Sequence, residues 1–303
     1  MAGYEYENVV MAIEAYFIQK LLESGVVSGV GDDAVIFSDN PNLRHRSGGS
    51  CLPKDISSPV YAMDMFWEGT HFKKAWFSPR EIGQKAFLVN VSDILAMNAI
   101  PKYALLGVSL PKNVSKDFIK ELLCGMVAVC KKFHITIIGG DTIGGNALGV
   151  VVNMIGEARK NTLFRKGARR GDLIFHTGKL GGSYLALKRL LSGGKSNKKS
   201  RFTKPILRAG FIAEIARFAH MGMDISDGVY AECNRLSECN QLAFSLKNKK
   251  EIYKSGEEYE MLFCVAPKER LRVMRIAKKH RVDVECMGKV LRGKSRYPAY
   301  AWH

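Results

Sequence analysis

The chain has 303 residues, of which 47% are hydrophobic, 10% aromatic and 25% charged, and Lys+Arg 46 against Asp+Glu 29 give a net charge of +17. This composition excludes a disordered or collagen-like chain and is ample for two packed domains. No stretch approaches the roughly 18 uninterrupted apolar residues of a membrane span, and Glu5 and Glu7 with no early Lys or Arg do not make a secretory leader, so a cytoplasmic location with no membrane partner is expected.

The seven cysteines, Cys51, Cys124, Cys130, Cys233, Cys239, Cys264 and Cys286, are odd in number and contain no C-x-x-C pair. Neither a disulfide framework nor a zinc site is indicated, and small core residues are expected. The positive charge permits polyanionic partners. It concentrates in runs such as 195–204 and 247–250, which read as surface loops, and no recognised nucleic-acid module accompanies it, so a nucleic-acid partner is not expected.

In chain order, alternating apolar runs predict strands over 60–66, 103–110, 135–138 and 148–155. Between the first two, Ser78-Pro79-Arg80-Glu81 forms a capping box with proline at the first helical position, and the helix it opens runs towards Met97, before Pro101. A second helix begins near Ser115 and carries the stripe Phe118, Ile119, Leu122, Leu123, Met126, Val127 and Cys130. The Gly- and Arg-rich stretch 165–172 follows a junction near residue 160, dividing the chain into 1–160 and 161–303. The second part predicts strands over 173–176, 243–246, 259–265 and 282–290, with helices over 183–191, 205–218, 228–239 and 267–280. The fold class is therefore α+β, two tandem units. Gly194-Lys195-Ser196 looks like the end of a P-loop, but Arg189 occupies the earlier glycine position, so a nucleotide would be bound another way.

Acids stand at strand or helix ends and within apolar runs: Gly31-Asp32-Asp33-Ala34, Met63-Asp64, Asn90-Val91-Ser92-Asp93, Gly139-Gly140-Asp141-Thr142 and Asp224-Ile225-Ser226-Asp227-Gly228. Each alone is commonly a turn, a strand exit or a helix cap. Together they suggest one shared cation site, because partly buried carboxylates are costly and few Lys or Arg neighbour them in sequence. Magnesium, a hard cation that bridges carboxylates to phosphates, fits such stations and points to phosphoryl transfer.

In order and spacing these stations resemble the thiamine-monophosphate kinase family, within the ATP-binding superfamily typified by aminoimidazole ribonucleotide synthetase. Further landmarks are Gly69-Thr70-His71-Phe72, Ser92-Asp93-Ile94-Leu95-Ala96-Met97, Gly167-Ala168-Arg169-Arg170-Gly171-Asp172, Thr177-Gly178 and Ser255-Gly256-Glu257-Glu258-Tyr259-Glu260. The resemblance implies two domains of the aminoimidazole ribonucleotide synthetase-like type, the first binding ATP and metal and pairing through its sheet in a homodimer. It implies several magnesium ions on Asp33, Asp64, Asp93, Asp141, Asp224 and Asp227, with Asp32 beside the first. ATP would meet Gly140, Asp141, Arg165 and Ser226, and thiamine monophosphate would meet His71, Glu257 and Trp302 or Tyr300. No catalytic base is implied, since the acceptor phosphate is already ionised; Arg165 would act electrostatically.

Three departures stand out. Ala62-Met63 replaces the family's Ser-Thr before Asp64, Ser255 and Glu258 replace Gly and Asp in the substrate motif, and the stretch between Leu246 and Gly256 is short. By itself His71 also reads as a packed, hydrogen-bonded histidine beside Phe72. The alternatives are another ATP-dependent enzyme of the superfamily, or a non-catalytic basic protein that binds nucleic acid.

Overall fold

Residues 35–36, 58–195 and 200–299 are described by the computed structural model; Asp32, Asp33, Cys51, Tyr300 and Trp302 lie outside the described residues. In the first part of the chain the elements run β1 (Val35–Ile36), β2 (Pro59–Trp67), α1 (Pro79–Ala96), β3 (Ala99–Pro111), α2 (Lys116–Phe133), β4 (Thr136–Gly145) and β5 (Gly149–Ala158). They form a five-stranded sheet in the order β1-β2-β5-β3-β4. Only β3 and β4 pair in parallel among these strands, and α2 is the crossover between them.

Helix α1 starts as its capping box requires: Ser78 N–H donates to Glu81 Oε2 at 2.8 Å and Glu81 N–H donates to Ser78 Oγ at 3.3 Å. It is buried on nearly every side, between its own sheet, α2 and the second half of the chain. Its approach to α2 depends on two glycines, since a Cβ at Gly83 would lie 2.1 Å from Leu122 O and one at Gly125 2.1 Å from Arg80 O. Pro101 does not end the helix, which has already stopped; it sits inside β3 at a register shift, where its missing N–H breaks the ladder. The predicted strand over 135–138 continues through Gly139-Gly140-Asp141-Thr142, because Gly140 lets β4 lie close against Leu106 of β3.

The second part runs β6 (Leu173–Thr177), α3 (Gly182–Leu191), α4 (Ala209–Ile215), β7 (Ala219–Asp224), α5 (Val229–Asn240), β8 (Ala243–Leu246), β9 (Met261–Val265), α6 (Arg270–His280) and β10 (Val284–Leu291). Its sheet is antiparallel throughout, in the order β7-β9-β6-β10-β8. The helix expected over 205–218 is shorter, with Arg208 at its N-cap in a non-helical conformation. The strand expected from 259 begins at Met261, because Tyr259 has φ 50° and cannot extend the ladder. One apolar cluster joins Phe66, Ile82, Phe87 and Val152 of the first part to Phe175, Phe211, Phe263 and Val273 of the second; another packs α5 on the opposite face of the second sheet. Cys130, Cys233 and Cys264 are buried, Cys239 is exposed, and no helix among the described residues is long and apolar enough to cross a membrane.

Candidate active site at the domain junction

Helix α1 carries polar side chains where its apolar sequence would otherwise be continuous, and buried polar groups must find partners. Asn90, fully buried, donates from Nδ2 to Ala86 O at 3.0 Å and accepts Asp64 N–H on Oδ1 at 2.9 Å, so it pins β2 to the helix beside Asp64. Two residues on, Ser92 Oγ donates to Asp224 at the end of β7, a link between the two halves of the chain. Two turns before Ser92, Lys85 pairs with Glu257, and burial lowers its pKa while the carboxylate opposes that shift.

Glu257 belongs to a loop that the backbone fastens firmly. Its N–H donates to Ser226 O at 2.6 Å, Tyr259 N–H donates to Ile225 O at 2.9 Å, and Ser183 Oγ donates to Glu257 O at 2.8 Å. Glu257 and Tyr259 both take left-handed backbone conformations, φ 55° and 50°, which side-chain-bearing residues adopt at a cost of about 1 kcal/mol or more each. Between them Glu258 turns away, to the start of α3: its Oε1 accepts Gly181 N–H at 2.8 Å, Ser183 N–H at 3.1 Å and Ser255 Oγ–H at 2.5 Å. The two departures in this motif are thus direct partners, Ser255 and Glu258, and burial pushes the Glu258 carboxyl above its ordinary pKa.

Tyr259 shows what the junction gathers. Its hydroxyl donates to Glu257 Oε1 at 3.2 Å. Its pKa is held well above the usual phenol value, first by burial and then by Glu257, Asp64, Asp224 and Asp93. Glu257 thus accepts its hydrogen bond, while Asp64, Asp224 and Asp93, from both parts of the chain, act on it electrostatically. Tyr259 also lines a small cleft with Ser92, Asp224 and Arg208.

The last acid of the motif, Glu260, is fully buried and faces a different set. Arg208 binds it through Nη2–Oε1 at 2.9 Å and Nε–Oε2 at 3.1 Å, Arg201 adds Nη1–Oε1 at 2.6 Å, and Thr177 Oγ donates to Oε2 at 2.6 Å. Lys85, Arg201 and Arg208 were not foreseen from sequence. Arg201 falls in a basic run that reads as a loop, and nothing local marks any of the three; their roles exist only through partners 172, 59 and 52 positions away.

A second group lies at the start of α5. Glu232, fully buried, accepts Asp227 N–H at 3.0 Å and Ser226 Oγ–H at 3.4 Å on Oε1. Burial pushes its carboxyl pKa up, against the pull of Arg235 and Arg165. Asp227 itself pairs with Arg235 at 2.5 Å, so a cation bound there competes with the guanidinium. Ser226, Asp227 and Arg165 are thereby brought into one neighbourhood.

Not every expected residue joins these groups. Asp141 is exposed on β4 and stands in the row Met65, Val151, Gly107, Asp141, three strand spacings or about 14 Å from β2. Gly140 occupies the neighbouring row, opposite Leu106. Asp141 therefore stands apart from Asp64, and among the described residues no three acid, histidine or cysteine side chains form a metal-binding group. Of the Ala62-Met63 pair, Ala62 packs in the core and Met63 points to the open face of the sheet. His71 sits in the turn after β2; its Nδ1 accepts Trp67 N–H at 3.1 Å and its ring lies 5.7 Å from Phe66, whose face is also approached by Lys85 at 5.5 Å. His71 and Lys85, the partner of Glu257, thus both meet the Phe66 ring.

Comparison with known proteins agrees with this layout. Residues 31–158 match the AIR synthase related protein, N-terminal domain, and residues 169–299 match the corresponding C-terminal domain. A thiamine-monophosphate kinase of Aquifex aeolicus is 30% identical over 279 residues, covering 84% of each chain. Among solved structures, thiamine-monophosphate kinase from Stenotrophomonas maltophilia K279a aligns with a TM-score of 0.73 at 25% identity over 82% of this chain and 88% of that one. The structure of AaThiL complexed with AMPPCP and TMP aligns at 0.74 and 24% identity over 95% and 94%. The two-sheet fold, the ordered acid motifs and this identity over most of the length lead to one assignment: the chain belongs to the thiamine-monophosphate kinase family.

Proposed function

We propose that this chain phosphorylates thiamine monophosphate with ATP, giving thiamine diphosphate and ADP. The observation that carries the reading is the set of family-motif acids held at the junction of the two sheets: Asp64 tied by its N–H to Asn90 of α1, Asp224 accepting from Ser92 of the same helix, and Glu257 paired with Lys85 and accepting from Tyr259. The acceptor phosphate oxygen attacks the γ-phosphorus of ATP in line; one P–O bond forms, the bond to the β,γ-bridging oxygen breaks, and ADP leaves with that electron pair. No proton need move, because the acceptor oxygen is already ionised.

The obstacle is repulsion between two polyanions, and the donor set suits a hard cation: carboxylate oxygens, with the Ser92 hydroxyl turned onto Asp224. Magnesium held by these carboxylates would supply charge neutralisation to the phosphates. Asp64, Asp93 and Asp224 would hold it at the junction, Asp227 would do so in exchange with Arg235, and Asp33 and Asp141 complete the family's ligand set. Arg165 and Ser226, beside α5, are assigned to ATP, together with Gly140. His71 and Glu257 are assigned to thiamine monophosphate, with Trp302.

We also propose that two copies pair through the first sheet. Its face away from α1 and α2 leaves Met63 58% and Met65 48% exposed, with Leu105 and Ile143 beside them, among the described residues. That face also carries Asp141, so pairing there supports a cleft shared between copies in which Gly140 and Asp141 reach ATP. In this reading 1–160 is the metal-binding and dimerisation unit and 161–303 the second unit, working in the cytoplasm.

The test is transfer of label from γ-labelled ATP, with magnesium, to thiamine monophosphate, using thiamine as the control acceptor. Label in thiamine diphosphate alone is the expected result; no transfer by a folded, ATP-binding protein would overturn the reading.

A further inference from the structure

Lysine is almost never fully buried unless it is paired, and Lys85 has 0% exposure. Its ammonium stands 5.5 Å from the Phe66 ring centroid, 5.4 Å from Phe77 and 4.1 Å from Phe202. Phe66 and Phe77 come from the first part of the chain and Phe202 from the second, and the rings of Phe77 and Phe202 are 5.5 Å apart. Cation–π attraction and the Glu257 carboxylate together offset the loss of water. The box is closed only when the two halves of the chain meet.

The loop bearing Glu257 is fastened independently of Lys85, by its backbone bonds to Ser226 and Ile225 and by Ser183 and Glu258. What Lys85 adds falls on the direction of the Glu257 side chain. We propose that Lys85 is a positioning residue for the substrate: by holding Glu257 across the junction inside an aromatic box built by both halves, it sets the carboxylate that receives thiamine monophosphate. This rests on the assignment of Glu257 to that substrate. It also couples the site to domain alignment, since the same contact that orients Glu257 joins α1 to the second sheet's loop. A purely structural ion pair would behave differently, because replacing such pairs by apolar groups of similar size is often neutral.

The experiment is a kinetic cycle with Lys85→Met, Glu257→Gln and the double variant, measuring KM for thiamine monophosphate and for ATP separately. Lys85→Met is expected to raise KM for thiamine monophosphate about tenfold and to leave KM for ATP within about twofold. In the Glu257→Gln background it should add less than about a further twofold, because the residue through which Lys85 acts has already lost its charge. An unchanged KM for thiamine monophosphate, a parallel rise in both KM values, or full additivity would each overturn the proposal. The double variant removes both charges and keeps side-chain volume, so if Lys85→Met alone fails to fold, its comparison with Glu257→Gln still decides: equal KM values sustain the proposal and a further rise overturns it. A wild-type protein that neither binds nor phosphorylates thiamine monophosphate would instead remove the site assignment, and this inference with it; an active wild type with an unmoved KM in Lys85→Met would remove this inference alone.

Discussion

Replacing Glu260 by Gln changes one atom and should cost the fold more than any comparable surface change. In the native arrangement Oε1 accepts from Arg201 and from Arg208 Nη2, while Oε2 accepts from Thr177 Oγ and from Arg208 Nε. However the glutamine amide is turned, its NH2 faces at least one arginine N–H, a donor against a donor. The favoured orientation puts the NH2 towards Thr177, whose Oγ already accepts Met261 N–H at 2.8 Å, and so sacrifices the Arg208 Nε bond. The charge is lost as well, leaving two guanidinium groups without their carboxylate. A buried pair broken on one side costs about 3–5 kcal/mol, and because Arg201 and Arg208 are 21% and 15% exposed, water recovers part of this. The expected loss is about 3 kcal/mol, or a fall of about 6–12 °C in the melting temperature for a unit of this size. Thermal denaturation followed by circular dichroism measures it, with Glu251→Gln as control: Glu251 is 84% exposed, pairs with Lys254 at the surface, and its replacement should change stability by less than about 0.5 kcal/mol. A Glu260→Gln protein within about 1 kcal/mol of wild type would refute the reasoning.

Three further outcomes are expected. Asp224→Asn keeps an acceptor for Ser92 Oγ but loses the charge, so kcat should fall about 100-fold with the melting temperature nearly unchanged; steady-state kinetics beside a thermal melt checks this, and full activity would exclude Asp224 from the site. Burial raises the Glu258 carboxyl above its ordinary 4.5, so the folded protein keeps a proton that the unfolded chain has released, and stability falls as pH rises from 4.5 through the folded value. Glu258→Gln mimics the protonated acid and should remove this slope in urea denaturation between pH 5 and 8, whereas identical slopes in both proteins would mean that Glu258 does not titrate in that window. Met63→Glu, on the open sheet face, should convert a dimer into a monomer by sedimentation velocity, because each pair of copies would bury two new like charges; a wild-type monomer would itself dispose of the pairing.

The acids proposed for the site were legible in the sequence because a carboxylate within an apolar run is otherwise expensive. Asp64, Asp93 and Asp224 interrupt apolar runs, and such interruptions survive only where something binds them. The capping box at Ser78 and the stripe of α2 likewise follow from local rules, and both helices start where those rules put them. Glycine misled once: Gly139-Gly140 looked like a strand exit, yet the freedom that suits a turn also allows a close strand contact, and β4 runs on to Gly145. Pro101 was read as a helix stop and proved to be a bulge in β3.

The sequence by itself determined the two α+β units and the family, and singled out the candidate acids, because periodicity, caps and short motifs are written in neighbouring residues. Tertiary structure alone decided that Glu257 meets Lys85, that Glu258 serves α3 instead of the site, that Glu260 is clasped by Arg201 and Arg208, and that Asp141 stands apart on the open sheet. The reason is physical: a buried charge must find a counter-charge at hydrogen-bond distance, and which one it finds depends on how two independently formed sheets come together, which no local pattern encodes.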